Sequence, residues 1–345
     1  MPPEAGSPAA GLDLAALTEW IELTRPAAPS PTGPLRAEPI TGGRSNLTYR
    51  ITDGTRTWVL RRPPLGHVLP TAHDMSREFR VISALADTDV PVPAPVALCT
   101  DANVIGAPFY VMDFVDGAVL DAARLAGMDP AAAGRVSAEL LDTLMAVHAV
   151  DPESVGLGDF GRPDGFLHRQ LARWHAQSLA SRQSPRPLEE GVRSALVATV
   201  PAEGRSSIVH GDYRLTNVMF DTDTKIVAVV DWEMATLGDP LTDVGLLYVY
   251  HRLSEDGAAV MPVMPAERGF LSPAQLLYGY AERSGRDDDM WWYVAFGYYK
   301  LAVICEGIAA RYAQGLTLGS GFEQFGALVP VLLSRAEQTV RTREV

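Results

Sequence analysis

The chain has 345 residues, 47% of them hydrophobic, a composition that suits a folded protein with a large core in two domains or lobes. Its 42 acidic residues exceed its 29 Lys and Arg residues, and the net charge of −13 argues against general binding to nucleic acids or anionic membranes. Cys99 and Cys305 lack metal-ligand spacing, and residues 1–11 lack the basic start and apolar run of a signal peptide. We therefore expect a cytoplasmic protein with reduced thiols, no membrane association and no obligate protein partner.

The first third of the chain predicts an N-terminal helix followed by a small antiparallel sheet. Apolar residues have helical spacing within 12–23, and a Pro-rich segment ends this helix. Strands are expected at 37–40, 47–52, 57–61 and 108–114, and a helix at 71–86. We divide the chain into a helix and linker (1–34), a first lobe (35–115) and a second lobe (116–345).

The second lobe is predicted to be mainly helical. A clear helical pattern covers 130–150, and a surface loop is expected at 254–269. The most apolar stretch, 290–310, contains Lys300 and Glu306, which favours a buried helix over a membrane span. Two short apolar strands, at 218–220 and 225–230, flank an Asp-Thr-Asp turn.

This strand pair lies within a group of polar residues that indicates phosphoryl transfer. Asp212 and Asn217 are five residues apart, the separation used in kinase catalytic loops. In those loops the Asp orients the attacking hydroxyl and the Asn holds a magnesium ion. The predicted turn folds Asp231 back beside Asn217, which supplies a second metal ligand.

From about residue 35 to about residue 335, the chain resembles the aminoglycoside phosphotransferase and choline-kinase-like small-molecule kinases. The residues that carry this resemblance are His210-Gly211-Asp212, Asn217, Asp231-Trp232-Glu233, Gly238-Asp239-Pro240-Leu241 and Asp243. The pattern is most similar to kinase-like domains fused to acyl-CoA dehydrogenases. The resemblance implies an α+β, two-lobed protein-kinase-like fold and transfer of the γ-phosphoryl group of ATP, with Mg²⁺, to a small-molecule alcohol. It implies Asp212 as catalytic base, Asn217 and Asp231 as magnesium ligands, and His210 and Asp243 as structural supports.

The resemblance also assigns residues to the nucleotide side of the site. Gly42, Gly43 and Ser45 resemble a phosphate-covering loop, although paired glycines between strands are often only a hairpin turn. Arg61 stands where kinase-like folds place a Lys, and its planar cation suits phosphate or carboxylate. Glu78, on the next predicted helix, is its expected ion-pair partner, with a plain surface salt bridge as the alternative.

The contacts to adenine and to the acceptor are less specific. Met112 and Phe114 are assigned to adenine by analogy, because kinase-like folds bind the base where the lobes join. The acceptor is expected to be a hydroxyacyl-type metabolite, an aminoglycoside or a similar alcohol. Aromatic residues around Trp174 and at 293–312 suit either an apolar-bodied acceptor or core packing.

Two other functions are weighed against the kinase hypothesis. A nucleotide-binding pseudokinase that senses or scaffolds is supported only by the Arg at position 61. A dinucleotide-dependent oxidoreductase would use the G-x-G-x-x-G match at 156–161, but this match follows a predicted helix instead of a strand. The remaining histidines considered as zinc ligands lack metal-ligand spacing and are interpreted as packing or surface residues: His148, His168, His175 and His251.

Overall fold

The computed structural model describes residues 11–24, 31–40, 46–65, 74–182, 186–202, 204–255, 262–286, 290–315, 322 and 324–345. The chain divides into two compact units. Unit 1 contains the chain up to Gly117 together with Val227–Glu233, and unit 2 contains Ala118–Ile226 and Met234–Val345. The segment around Asp231 therefore belongs to unit 1, although it lies within the second half of the sequence.

Unit 1 is built on a five-stranded antiparallel sheet in the order β1-β2-β3-β5-β4. Its elements are α1 (Leu14–Thr24), β1 (Arg36–Pro39), β2 (Leu47–Thr52), β3 (Thr57–Arg62), α2 (Met75–Leu85), β4 (Pro95–Cys99) and β5 (Phe109–Asp113). Helix α2 begins after Asp74, whose carboxylate accepts hydrogen bonds from the backbone N–H groups of Ser76 and Arg77. The predicted strands and helices are present, and β4 is an additional strand that the sequence pattern did not indicate.

The core of unit 1 lies between α1 and the sheet. Alternation along β2 buries Tyr49 and Ile51, and the ring of Trp20 on α1 meets Phe109 edge to face with centroids 4.9 Å apart. Register is set by antiparallel pairs such as Tyr49 with Leu60. Strand β3 is thereby held at the centre of the sheet, where it carries Arg61.

Unit 2 is mainly helical. Its elements are α3 (Ala122–Gly127), α4 (Pro130–Ala149), α5 (Phe166–Ser181), α6 (Pro187–Ala198), β6 (Ser207–Val209), β7 (Val218–Phe220), β9 (Thr236–Gly238), α7 (Leu241–Glu255), α8 (Pro273–Ser284), α9 (Met290–Ala313) and α10 (Phe325–Thr342); β8 (Ile226–Val229) continues into unit 1. Strands β6 and β9 pair antiparallel, with Ile208 opposite Leu237. The turn after β7 is closed by the N–H of Asp221 and the carbonyl of Lys225, 3.0 Å apart. These short elements flank the predicted catalytic loop.

Helix α9 forms the centre of unit 2 and packs against α5, α6, α7 and α10. It is the one helix, among the described residues, that is long and apolar enough to cross a membrane by composition. Because 78% of its most apolar window is buried inside the protein, it has the character of a core helix. The loop predicted at 254–269 begins slightly later, because α7 continues to Glu255, and a 3₁₀ turn covers Ala266–Arg268 before α8 begins at Pro273; residues 256–261 lie outside the described residues.

Candidate active site

The predicted catalytic loop follows β6 and is held through its backbone. The carboxylate of Asp243, near the start of α7, accepts the N–H of His210 at 2.6 Å and the N–H of Gly211 at 2.8 Å. Asp243 is only 1% exposed. Burial alone would raise its pKa, but His148, His210 and the Gly211 N–H outweigh burial and hold the pKa below its ordinary value. A buried, charged carboxylate therefore fixes the entry to the loop.

Gly211 is required by the shape of this loop. Its φ of +84° lies in the region that side chains disfavour, and an added Cβ would lie 2.7 Å from the carbonyl oxygen of Met234. Both constraints exclude a side chain. The Arg that kinase loops carry at this position would therefore not fit the backbone path seen here.

The carboxylate of Asp212 is oriented by three neighbouring side chains. Its Oδ1 accepts the hydroxyl of Tyr250 at 2.7 Å, and its Oδ2 accepts Asn217 Nδ2 at 3.0 Å. The Nε of Arg214 lies 3.2 Å from the same Oδ2. Burial and the nearby Asp212 raise the pKa of Tyr250 well above its ordinary value, so that its hydroxyl remains a donor.

A further layer of contacts supports the loop. His148 on α4 lies between the Tyr280 hydroxyl, 2.8 Å from its Nδ1, and Asp243 Oδ2, 3.3 Å from its Nε2. Lys300 on α9 donates to the carbonyl oxygen of Gly211. His148 is thus buried, as expected for a packing residue, but it also belongs to the hydrogen-bonded chain that ends at the catalytic loop.

Unit 1 holds a separate cluster of charges. The Nε of Arg61 lies 2.9 Å from Glu78 Oε2, and its NH2 group contacts the Asp231 carboxylate. Burial would lower the pKa of Arg61, but the carboxylates, Glu78 first, raise it above its ordinary value and keep the guanidinium charged. The expected Arg61–Glu78 ion pair is therefore present, and it is buried instead of superficial. Asp231 adopts a φ of +69°, which Asp tolerates better than most residues.

Two further polar residues complete this cluster. Asn46 donates through Nδ2 to Glu78 Oε1 at 2.9 Å and to Glu233 Oε2 at 3.2 Å. Carboxylate oxygens of Glu78, Asp231 and Glu233 lie within 4.8 Å of one another. Oxygen ligands of this kind suit a hard divalent cation such as magnesium. Among the described residues, this is the group of carboxylates that fits a metal ion.

The other predicted residues of the nucleotide side have mixed outcomes. Gly42, Gly43 and Ser45 lie outside the described residues. Met112 is buried in β5, paired with Val59, whereas Phe114 is 38% exposed just after that strand. Their contact with adenine stays a prediction.

Some site residues were not predicted from the sequence. Tyr250 and Asn46 reach their partners across 38 and 32 residues of chain, and no local pattern marks them. Glu233 belongs to the motif that carries the resemblance, but the resemblance implies no role for it. Lys300 offered a signal, because it interrupts the most apolar stretch of the chain.

Comparisons with known proteins agree with this geometry. The sequence model of the Phosphotransferase enzyme family matches residues 36–274. The mouse protein named acyl-CoA dehydrogenase family member 10 is 33% identical over 310 residues, which cover 86% of this chain and 28% of that protein. The chain belongs to the phosphotransferase enzyme family, and the predicted branch is confirmed. It spans less than a third of the length of this mouse relative.

Solved structures share the fold. A Ralstonia eutropha protein provisionally named an aminoglycoside phosphotransferase is 34% identical, with a TM-score of 0.82 over 96% of this chain and 98% of that one. The aminoglycoside phosphotransferase APH(4)-Ia, in a ternary complex with AMP-PNP and hygromycin B, is 15% identical with a TM-score of 0.61 over 94% and 97%. The predicted kinase-like fold and the prediction of a phosphotransferase enzyme are confirmed, and the oxidoreductase hypothesis has no support.

Proposed function

We propose that the protein transfers the γ-phosphoryl group of ATP to the hydroxyl of a small molecule, with magnesium. The observation that carries this proposal is the Asp212 carboxylate, held by Tyr250, Asn217 and Arg214 in the loop anchored on Asp243. Phosphoryl transfer depends mainly on positioning and charge stabilisation, and a carboxylate fixed on three sides suits that task.

Asp212 would act on the acceptor. Its carboxylate accepts a hydrogen bond from the acceptor hydroxyl, and this contact aims the hydroxyl oxygen at the γ-phosphorus. A bond forms between these two atoms, the bond from the γ-phosphorus to the bridging oxygen of ADP breaks, and the hydroxyl proton passes to Asp212. The contacts of Asp212 with Tyr250, Asn217 and Arg214 fix the orientation of the carboxylate for this proton transfer.

The charge cluster of unit 1 would act on the nucleotide. Arg61, held in place by its ion pair with Glu78, offers a guanidinium to phosphate oxygens. Asp231 and Glu233 would hold magnesium, which neutralises charge on the transferred phosphate; the resemblance alone implies Asn217 as a further ligand. The structural relative bound to AMP-PNP supports a nucleotide of the ATP type.

Charge near the catalytic loop favours one of the acceptors. Arg214 contacts Asp212, Lys300 contacts Gly211, and Arg173 is close enough to lower the pKa of Lys300. We therefore propose an acceptor that carries a negative group, such as a hydroxyacyl-type metabolite; the similarity to an acyl-CoA dehydrogenase family member supports this choice.

A transfer assay tests the proposal. Purified protein with Mg-ATP is offered hydroxy acids, hydroxyacyl thioesters, aminoglycosides and choline, and phosphorylated products are measured by mass spectrometry. We expect product from an anionic alcohol and a loss of about 10²–10³-fold in Asp212→Ala, the scale of losing one group that stabilises the transition state. Mg-ATP binding with no Asp212-dependent turnover on any acceptor would instead favour the pseudokinase.

A further inference from the structure

Lys300 is exceptional in this chain. The sequence contains only two lysines, Lys225 and Lys300, so that nearly every basic residue is an arginine. Lys225 is exposed in the turn after β7, whereas Lys300 is 8% exposed in the middle of α9. A buried ammonium is costly unless its surroundings compensate for the lost water, so its contacts need a physical explanation.

The contacts of Lys300 converge on the catalytic loop. Its Nζ donates to the carbonyl oxygen of Gly211 and lies 5.4 Å from the ring centroid of Trp174, within cation–π range. Burial lowers its pKa below the ordinary value, Asp212 and Asp243 oppose this change, and Arg173 adds to it. Two carboxylates and an aromatic face thus favour the charged amine.

The carbonyl that Lys300 contacts belongs to the peptide group that leads into Asp212. The N–H of that same peptide group lies 3.2 Å from His210 Nδ1. The preceding peptide group donates the Gly211 N–H to Asp243. Both ends of the Gly211–Asp212 peptide are therefore held, its oxygen by Lys300 and its nitrogen by His210, and rotation of this plane would turn the Asp212 side chain.

We infer that Lys300 is a positioning residue, whose ammonium fixes the Gly211–Asp212 peptide and thereby the direction of the Asp212 carboxylate. This inference rests on the proposed function, because a fixed direction matters only when Asp212 aims an acceptor. A neutral side chain of similar length fills the same space but cannot hold the carbonyl, since the hydrogen bond from a charged donor is lost.

Three variants separate this role from packing. Lys300→Met removes the charge and keeps the length, Lys300→Arg keeps the charge, and Lys225→Met removes the other lysine from an exposed position. Hydrogen–deuterium exchange is measured on peptides that cover 207–217, and Mg-ATP hydrolysis, with water as acceptor, is measured with Asp212→Ala as reference.

In Lys300→Met, we expect exchange at 210–214 to increase severalfold while exchange in α5 and the rest of α9 is unchanged. The kcat for Mg-ATP hydrolysis should fall about ten- to hundredfold with the KM for ATP unchanged, the size expected for one charged hydrogen bond. Lys225→Met should match the wild type, and Lys300→Arg should lie closer to the wild type than Lys300→Met.

The inference is overturned if exchange at 210–214 is unchanged in Lys300→Met, if it rises equally throughout α5 and α9, or if the arginine and methionine variants behave alike. A wild type without Asp212-dependent hydrolysis or transfer would defeat the proposed function instead. The exchange comparison would still decide whether Lys300 holds the loop, so the two failures can be distinguished.

Discussion

The charge cluster of unit 1 and the catalytic loop of unit 2 are ordered in different ways. In unit 1, Arg61 contacts Glu78 and Asp231 through side chains alone. In unit 2, Asp243 and Lys300 contact the N–H and C=O of Gly211, so that the loop is held by its backbone. The geometry of the first region depends on the charges of its side chains, and that of the second depends on the backbone conformation of the loop.

This difference explains which departures from the kinase pattern are possible. Position 61 carries Arg where the related folds carry Lys, and the cluster accommodates it because either cation can pair with Glu78. Position 211 has no such freedom, because its φ of +84° and the nearby Met234 carbonyl exclude a side chain. We therefore expect substitutions in the charge cluster of unit 1 to cause losses that depend on how much charge and geometry are preserved. Substitutions in the catalytic loop of unit 2 should cause large losses.

The largest effect is expected from Asp243→Ala. The change leaves the buried N–H groups of His210 and Gly211 without an acceptor, and each such group costs about 1–3 kcal/mol. Denaturant unfolding should show a loss of about 3–5 kcal/mol together with the loss of transfer. Asp142→Ala, which breaks the half-exposed pair with Arg283, should cost less than about 1 kcal/mol. Equal losses in the two variants would contradict the backbone role of Asp243.

A smaller effect is expected from Gly211→Ala. The left-handed backbone costs a side chain about 1–2 kcal/mol, and the contact with Met234 adds to this value. Gly285→Ala is the matched control, because its φ of +68° is similar and nothing lies within 4 Å of the added Cβ. Thermal or denaturant unfolding should show a greater loss of stability for Gly211→Ala than for Gly285→Ala. An equal or smaller loss for Gly211→Ala would contradict a fixed backbone conformation of the loop.

The mildest effect is expected from Arg61→Lys. It preserves the charge beside Glu78 but loses the planar fork that also reaches Asp231, so the KM for ATP should increase only a few-fold. Arg61→Met should increase this KM about ten- to hundredfold, the value of a lost charged hydrogen bond. Steady-state kinetics in ATP compare the two variants. If Arg61→Lys increases the KM for ATP as much as Arg61→Met does, the cluster requires the geometry of a guanidinium. The proposed contrast between the tolerant cluster and the intolerant loop would then be wrong.

Local patterns predicted most elements of the fold. Strands β2 and β3 and helix α4 have strong periodicity, and their bounds differ from the expected ones by at most a residue. Strand β4 was missed because it begins at Pro95 in a Pro-rich segment and its pairing with β5 shifts register between Pro95 and Ala97. Its place at the sheet edge permits the proline, but the sequence alone does not show which segment forms that edge.

The candidate site was predicted where it follows a motif and missed where it depends on tertiary packing. Asp212, Asn217 and Asp243 are spaced recognisably along the chain, and the structure brings the first two into direct contact. Tyr250 is brought to Asp212 by the packing of α7, and Asn46 is brought to Glu78 by the packing of α2. Such contacts depend on how helices are placed, which no spacing rule along the chain describes.

The discontinuity of unit 1 has a consequence for biosynthesis. Its last segment, Val227–Glu233, is joined to the earlier part by the Val229 N–H and the Pro91 carbonyl, 2.8 Å apart. A ribosome must therefore polymerise more than a hundred residues of the other unit before Asp231 emerges to meet Arg61. Until then Arg61 and Glu78 lack the second carboxylate of their cluster, so unit 1 can be completed only after most of residues 118–226 have been synthesised.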